Sequence, residues 1–198
     1  TTSFIGVSLA STAAYAFSRF KFGGKKSGLI LLLSTQMIPA GMLILPLFLM
    51  IMKLGLMNTY LGIIIAYSVS SLPFSIWILK GYYDTIPRSL EEAALVDGTS
   101  QLGAFYRVIL PLSTPALSIA FLFNFTTAWN EYLVARVVLF SSAQYTWTLG
   151  LFELQGQYIT QWGMFAAGSM LVTIPVLAVF LYSSKWLISG LTLGSVKG

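Results

Sequence analysis

An all-α membrane protein, a polytopic bundle of transmembrane helices, is the fold class this sequence predicts, on three observations. Of its 198 residues 57% are hydrophobic and only 9% charged, against about 25% charged in an average soluble domain. Its 11 basic and 6 acidic side chains cannot build a water-facing surface of that size, and the mean hydropathy is +0.82. The second observation is a series of uncharged runs near the ~20 helical residues needed to cross ~30 Å of hydrocarbon. The third is that these runs lack the strict alternation of barrel strands, which leaves helices to satisfy backbone groups in lipid.

Taken in order, five runs stand out: about Phe4 to Phe17, Gly28 to Met52, Leu54 to Leu79, Val108 to Asn130, and about Trp162 to Ser184. The third is expected to start near Tyr60, because Asn58 and Thr59 read as a turn or helix cap. The first is short and the chain opens at Thr1 without an initiator methionine, so a further span is expected before it. No basic segment precedes the run, which argues against a signal peptide. Val137 to Phe152 is uncharged but only 16 residues long, and it carries Ser141, Ser142, Gln144, Thr146 and Thr148. It reads as an outside loop with partial helix.

Positive charge orients the bundle. With five spans, nine basic residues fall on one side (Arg19, Lys21, Lys25, Lys26, Lys80, Arg88, Arg107, Lys185 and Lys197), and only Lys53 and Arg136 fall on the other. Positive charge collects in cytoplasmic loops, so the C-terminus is expected in the cytoplasm. The net charge of +5 is therefore read as orientation and not as a nucleic-acid site. Trp162 and Trp186 bracket the last span, about 36 Å apart along a helix, as aromatic interface anchors do. Pro39, Pro46, Pro73 and Pro175 fall inside the spans, either as tolerated kinks or as hinges.

The sequence has neither cysteine nor histidine. That excludes disulfides, thiolate chemistry and the commonest metal ligand and general base, so no metal, no cofactor and no catalytic residue is expected. Gly23-Gly24-Lys25-Lys26 lacks the spacing and the hydroxyl residue of a phosphate loop. The spans carry no charge at their centres, which argues against the main competing class, an ion-gradient-driven secondary transporter. Gln36, Ser68, Ser70, Ser71, Asn124, Thr126 and Thr127 either line a hydrophilic route or hydrogen-bond neighbouring helices. Asn124, near mid-span, is the first candidate for the pathway.

Four of the six acidic residues, Asp84, Glu91, Glu92 and Asp97, lie between Lys80 and Arg107. This stretch reads as a helix–turn–helix outside the bilayer. Ser89 and Glu92 have capping-box spacing, Gly98 suits a C-terminal cap, and Thr99 or Ser100 would cap a second helix running to Pro111. Its apolar residues Ala93, Ala94, Leu95, Leu102, Phe105 and Tyr106 either pack under the bundle or on lipid, or fill a groove on a soluble partner.

Glu92-Ala93-Ala94, three residues, Gly98, nine residues and Val108-Ile109-Leu110-Pro111 resemble the EAA loop of permease subunits in bacterial ATP-binding-cassette importers. Val108 stands where that family usually has isoleucine. Trp129-Asn130-Glu131-Tyr132 and the ending Gly190 to Gly198 are similar to the carbohydrate-uptake branch, specifically the smaller permease of maltose-type transporters, across essentially the whole chain.

The resemblance implies one permease domain over residues 1–198, with six spans in the complete subunit, an EAA loop at about 80–111 and an external loop at about 131–161. It implies as partners a second homologous permease, two copies of a cytoplasmic ATPase that supply hydrolysis, an extracytoplasmic solute-binding protein, a carbohydrate and the lipid bilayer. By position, Glu92, Ala93, Ala94, Gly98, Leu110 and Pro111 would belong to the ATPase-coupling segment. Gly194, Ser195, Val196, Lys197 and Gly198 would reach between the ATPase subunits. The loop 136–161, which contains Tyr145, Glu153, Gln155, Gln157 and Tyr158, would contact the binding protein.

Overall fold

The computed structural model describes residues 1–156 and 160–194, with the side chains of the last helix described as far as Trp186. Eleven α-helices are described: α1 Thr2–Arg19, α2 Lys25–Thr35, α3 Ala40–Lys53, α4 Tyr60–Thr85, α5 Arg88–Val96, α6 Gln101–Ala104, α7 Leu110–Leu112, α8 Thr114–Asn130, α9 Leu133–Val138, α10 Trp147–Glu153 and α11 Trp162–Gly194. A π-helical turn, Phe105–Ile109, joins α6 to α7. Among the described residues the only β pairing is an isolated bridge between Gln155 and Thr160.

By length and apolarity, α4 and the Trp162–Trp186 part of α11 can each cross a membrane, and up to four crossings result if two bent pairs each count as one span. Five uninterrupted runs therefore do not become five straight helices. The run Gly28 to Met52 breaks into α2 and α3, which meet at 106°. Pro39 stands at the break, with φ −55° and ψ 131°; it has no N–H to continue the α2 ladder, and it disfavours the helical conformation at Ile38. The run Val108 to Asn130 bends by 80° between Leu112 and Thr114. Pro111 sits inside α7 without ending it. The break falls instead at Ser113, where φ is −94° and ψ 10°, two residues before Pro115, whose ring cannot enter the preceding ladder. Pro46, Pro73 and Pro175 remain inside continuous helices.

α4 begins at Tyr60 because Thr59 caps it, its hydroxyl accepting from the Gly62 N–H at 3.1 Å. Asn58, at φ 55°, makes the turn before it, and its side chain accepts from the Phe140 and Ser141 N–H groups at 3.1 and 3.0 Å.

α1 and α4 run side by side in the same direction. Close approach is possible because α1 turns small residues inward: Ser3, Gly6, Ala10, Ala14 and Ser18 are all buried, the small-residue seam by which membrane helices pack. α8 returns antiparallel across both, so Phe4 meets Phe121 and Phe74 meets Phe123. Two apolar cores result. At the end bearing Arg19 and Lys80, Ala10, Tyr15, Leu79, Tyr83, Phe105, Ile109 and Ala116 pack together. At the opposite end, Leu47, Ile51, Ile63, Tyr67, Val134, Val138 and Leu149 do so. None of the most apolar window of α11 is buried. Trp129 nevertheless ties it to α8, its indole N–H donating to the Val172 carbonyl at 3.1 Å.

Candidate coupling elbow and outer cavities

The acidic segment forms an elbow at the basic end of the bundle. α5 starts at Arg88 directly after Pro87, and no side-chain cap is made. Ser89 lies inside the first turn, so the expected capping box with Glu92 does not form. Pro87, already at φ −57° and ψ 133°, sets the helix entry two residues earlier than Ser89 could. At the other end Gly98 takes φ +83°, its N–H donates to the Leu95 carbonyl and the Thr99 N–H to the Ala94 carbonyl, each at 3.0 Å. This paired closure is the Schellman motif. Ser100 then caps α6, accepting from the Gly103 N–H at 3.1 Å. The following helical path runs through the π turn, where the Leu110 N–H reaches the Phe105 carbonyl.

Successive residues on a helix point about 100° apart, and here that separates two glutamates. Glu91 is the one buried residue of α5. It accepts from the Tyr15 hydroxyl at 2.8 Å and pairs with the Arg19 guanidinium. Glu92 and Ala93 are exposed and Ala94 is half-buried. Val96 is 87% exposed, Leu102 69% and Tyr106 60%. The elbow therefore presents an acid, an alanine and several large apolar groups away from its own bundle. Glu92, Ala93 and Gly98 share this outward surface. Leu110 packs against the core, and Pro111 is exposed on α7. Glu91 was not singled out from the sequence; the available signal was that Tyr15 and Arg19, four apart, share one face of α1.

Asn124 is fully buried. Its amide donates to Ser75 Oγ at 2.6 Å and to the Ala120 carbonyl at 2.7 Å. Its Oδ1 lies 2.5 Å from where a Cβ on Gly6 would stand. The residue thus joins α1, α4 and α8 and lines neither of the two outer cavities described below. Ser68 and Thr126 likewise donate to carbonyls of their own helices, those of Ile64 and Leu122, at 2.7 and 2.9 Å, and Gln36 donates to the Ser70 carbonyl at 3.3 Å.

At the opposite end, α9 and α10 build a compact cover. The Glu131 carboxylate accepts from the Val134 and Ala135 N–H groups in the first turn of α9, and Tyr132 stacks on Phe152 with ring centroids 3.9 Å apart. Arg136 pairs with Glu153. A cavity of about 360 Å³ opens beside it, walled by Tyr60, Tyr67, Trp129, Tyr145 and Trp147. A second, of about 640 Å³, lies between Trp147, Leu151 and Glu153 on one side and Gly168 and Val172 of α11 on the other. Aromatic faces beside a few polar groups suit a hydroxylated ligand. Among the described residues no group of acids could hold a metal. Ser195 to Gly198, Gln157 and Tyr158 lie outside the described residues, and Gly194 ends α11.

Residues 5–188 match the family described as the binding-protein-dependent transport system inner membrane component. The chain belongs to that family. The permease is 38% identical over 186 residues to the galactooligosaccharides transport system permease protein GanQ of Bacillus subtilis strain 168, covering 93% of this chain and 66% of that protein. It is 40% identical over 198 residues to the maltose/maltodextrin transport system permease protein MalG of Salmonella typhimurium strain LT2, covering 97% of this chain and 67% of that one. It thus spans about two thirds of the length of these relatives. Its fold matches a chain of a bacterial ATP-binding-cassette transporter involved in the import of the acidic polysaccharide alginate, with a TM-score of 0.72 at 25% identity over 94% of this chain and 74% of that one. These relatives bear out the resemblance to MalG-type carbohydrate permeases, and the family match together with the apolar helices makes the chain a multi-pass inner-membrane protein.

Proposed function

We propose that the permease forms half of the translocation path of an ATP-driven, binding-protein-dependent importer, and that its cargo is maltose or a maltooligosaccharide. The observation that carries this reading is the family match together with an elbow whose outer face bears Glu92, Ala93 and exposed Val96 and Leu102. An apolar helical surface with a charge at its edge is what a groove on a partner protein accepts.

In this reading a homologous permease completes the path. One of two ATPase subunits grips the elbow in a cleft, with Gly194 to Gly198 reaching between the two, and a solute-binding protein docks over residues 136–161. The full subunit has six spans and a cytoplasmic C-terminus, which places the elbow in the cytoplasm and the aromatic cavities outside. Transport is alternating access, a two-state bundle biased by ATPase closure. Asn124 enters the pathway only in a state where α1 and α8 have parted. The relatives named for maltodextrin and galactooligosaccharides support an oligosaccharide as cargo.

The test is reconstitution of the complete transporter with its binding protein in proteoliposomes, offered radiolabelled maltose, maltotriose and galactooligosaccharide in turn. ATP-dependent accumulation of maltose or maltotriose is expected. Uptake driven by an ion gradient without ATP would overturn the importer reading, and uptake of galactooligosaccharide alone would overturn the choice of sugar.

A further inference from the structure

Resting on the importer reading, we propose that Glu91 is the positioning residue through which motion of the elbow reaches the membrane bundle, by way of Tyr15 and Arg19 on α1. The large apolar side chains of α5, Leu90, Leu95 and Val96, are all exposed, although Leu95 borders the cleft beside Tyr15 and Arg19. The only residue of α5 buried against the bundle is a carboxylate. Apart from the chain entering and leaving it, the grip of α5 on the bundle is therefore concentrated at Glu91.

That grip is polar and directional. Tyr15 Oη donates to one carboxylate oxygen at 2.8 Å, and Arg19 Nε donates to the other. Arg19 Nη2 also donates to the Ile86 carbonyl at 3.0 Å, just past the end of α4. One guanidinium thus clasps α1, the exit of α4 and α5 together. The clasp continues along α1, where Ser18 donates to Asp84 at 2.7 Å and Ser11 shares a hydrogen bond with Tyr83 at 2.8 Å. Charge-assisted bonds hold a fixed geometry where apolar contacts would slide. A buried ion pair also cannot part cheaply, because each half would be left uncompensated. A pull on α5 therefore moves α1 and α4 as one body, and Glu92 and Glu91 divide the work, one facing outward and one holding the bundle.

The experiment uses the complete transporter with its binding protein in proteoliposomes and measures sugar accumulated per ATP hydrolysed. Glu91→Gln keeps the shape and removes the charge, and the ratio is expected to fall about tenfold, within the range of ordinary allosteric couplings. Tyr15→Phe, which removes one hydroxyl, is expected to lower it in the same direction by a smaller factor. The ratio is normalised to hydrolysis, so a lower yield of assembled complex does not alter it. A ratio within threefold of wild type for Glu91→Gln would overturn the proposal while leaving the importer reading intact. A wild-type complex that accumulates no sugar with ATP would overturn both. As a second measurement, spin labels on cysteines introduced at Thr12 and Ser89, both exposed and the latter in the first turn of α5 at the far end of that helix from Val96, should keep one narrow distance distribution through the nucleotide cycle in the unsubstituted background and a broadened one in Glu91→Gln. An equally narrow distribution in the variant would also sink the proposal.

Discussion

Asn124 and Gly6 meet across the crossing of α8 and α1: the carboxamide oxygen lies 2.5 Å, and its carbon 3.4 Å, from where a Cβ on Gly6 would stand. Among the described residues that oxygen has no hydrogen-bond partner, and the amide nitrogen is committed to Ser75 and Ala120. Gly6→Ala must push α1 away from α8 or rotate Asn124 off Ser75. Overpacking of this kind costs about 1–3 kcal/mol, offset in part by alanine's better helix propensity of up to ~1 kcal/mol. Gly81, inside α4, is the control, since nothing lies within 4 Å of a Cβ there. Thermal unfolding of the detergent-solubilised permease should show Gly6→Ala destabilised and Gly81→Ala unchanged or stabilised. Equal behaviour of the two variants would refute the close contact.

Gly98 makes the elbow's turn at φ +83°, a conformation costing other L-residues about 1–2 kcal/mol. Nothing crowds a Cβ at this position, so the strain is purely conformational. Gly98→Ala should lower stability by about 1 kcal/mol, and Gly98→Asn, which tolerates the left-handed region, by less. Comparing the unfolding midpoints of the two variants checks the order, and asparagine faring as badly as alanine would contradict it.

Glu92 makes no cap, because α5 begins before Ser89, and its side chain is exposed. Charge reversal should therefore leave the permease's own stability within about 0.5 kcal/mol, as exposed substitutions generally do. At an interface with a basic groove the same change should cost about 2–5 kcal/mol. Glu92→Lys is expected to fold normally yet copurify with less than a tenth of the wild-type ATPase, a factor that corresponds to about 1.4 kcal/mol or more. Quantitative copurification settles it, and full recovery of the ATPase would count against docking through this residue.

The parts of the architecture that local chemistry decides were readable from the sequence. Thr59 announces the start of α4 and Gly98 the end of α5, because a cap or a left-handed glycine acts within a few residues of itself. Pro39 was readable as a kink or hinge, but neither the 106° of that bend nor the 80° bend at Ser113 was, since an apolar run reports burial in lipid but not the direction of the helix axis. The Ser89–Glu92 pattern misled because Pro87 competes for the same few residues and presets the helix entry. The burial of Glu91 depends on Tyr15 and Arg19, 76 and 72 residues away. Nothing within α5 itself distinguishes it from Glu92. For Asn124 the sequence left open a hydrophilic route or hydrogen bonds to neighbouring helices, and the same limit hid which neighbours α1 and α4 supply, Gly6 and Ser75.

Trp147 lines both outer cavities while remaining 61% exposed. Its neighbours hold the cover in place without it: Thr146 caps α10 by accepting from the Leu149 N–H at 3.2 Å, and Leu149 is buried in the core below. Trp147→Ala should therefore change stability little, about 0.5 kcal/mol. If the cover faces the solute-binding protein and its sugar, the indole offers a flat apolar face to the ligand and its loss should weaken the hand-over. Truncating such an exposed aromatic anchor costs about 1–2 kcal/mol, or roughly a five- to thirtyfold loss of binding-protein-dependent uptake at limiting sugar. Titrating the reconstituted transporter with loaded binding protein measures this as a raised half-saturation concentration. A half-saturation identical to wild type would place the site of sugar hand-over elsewhere on the outer face.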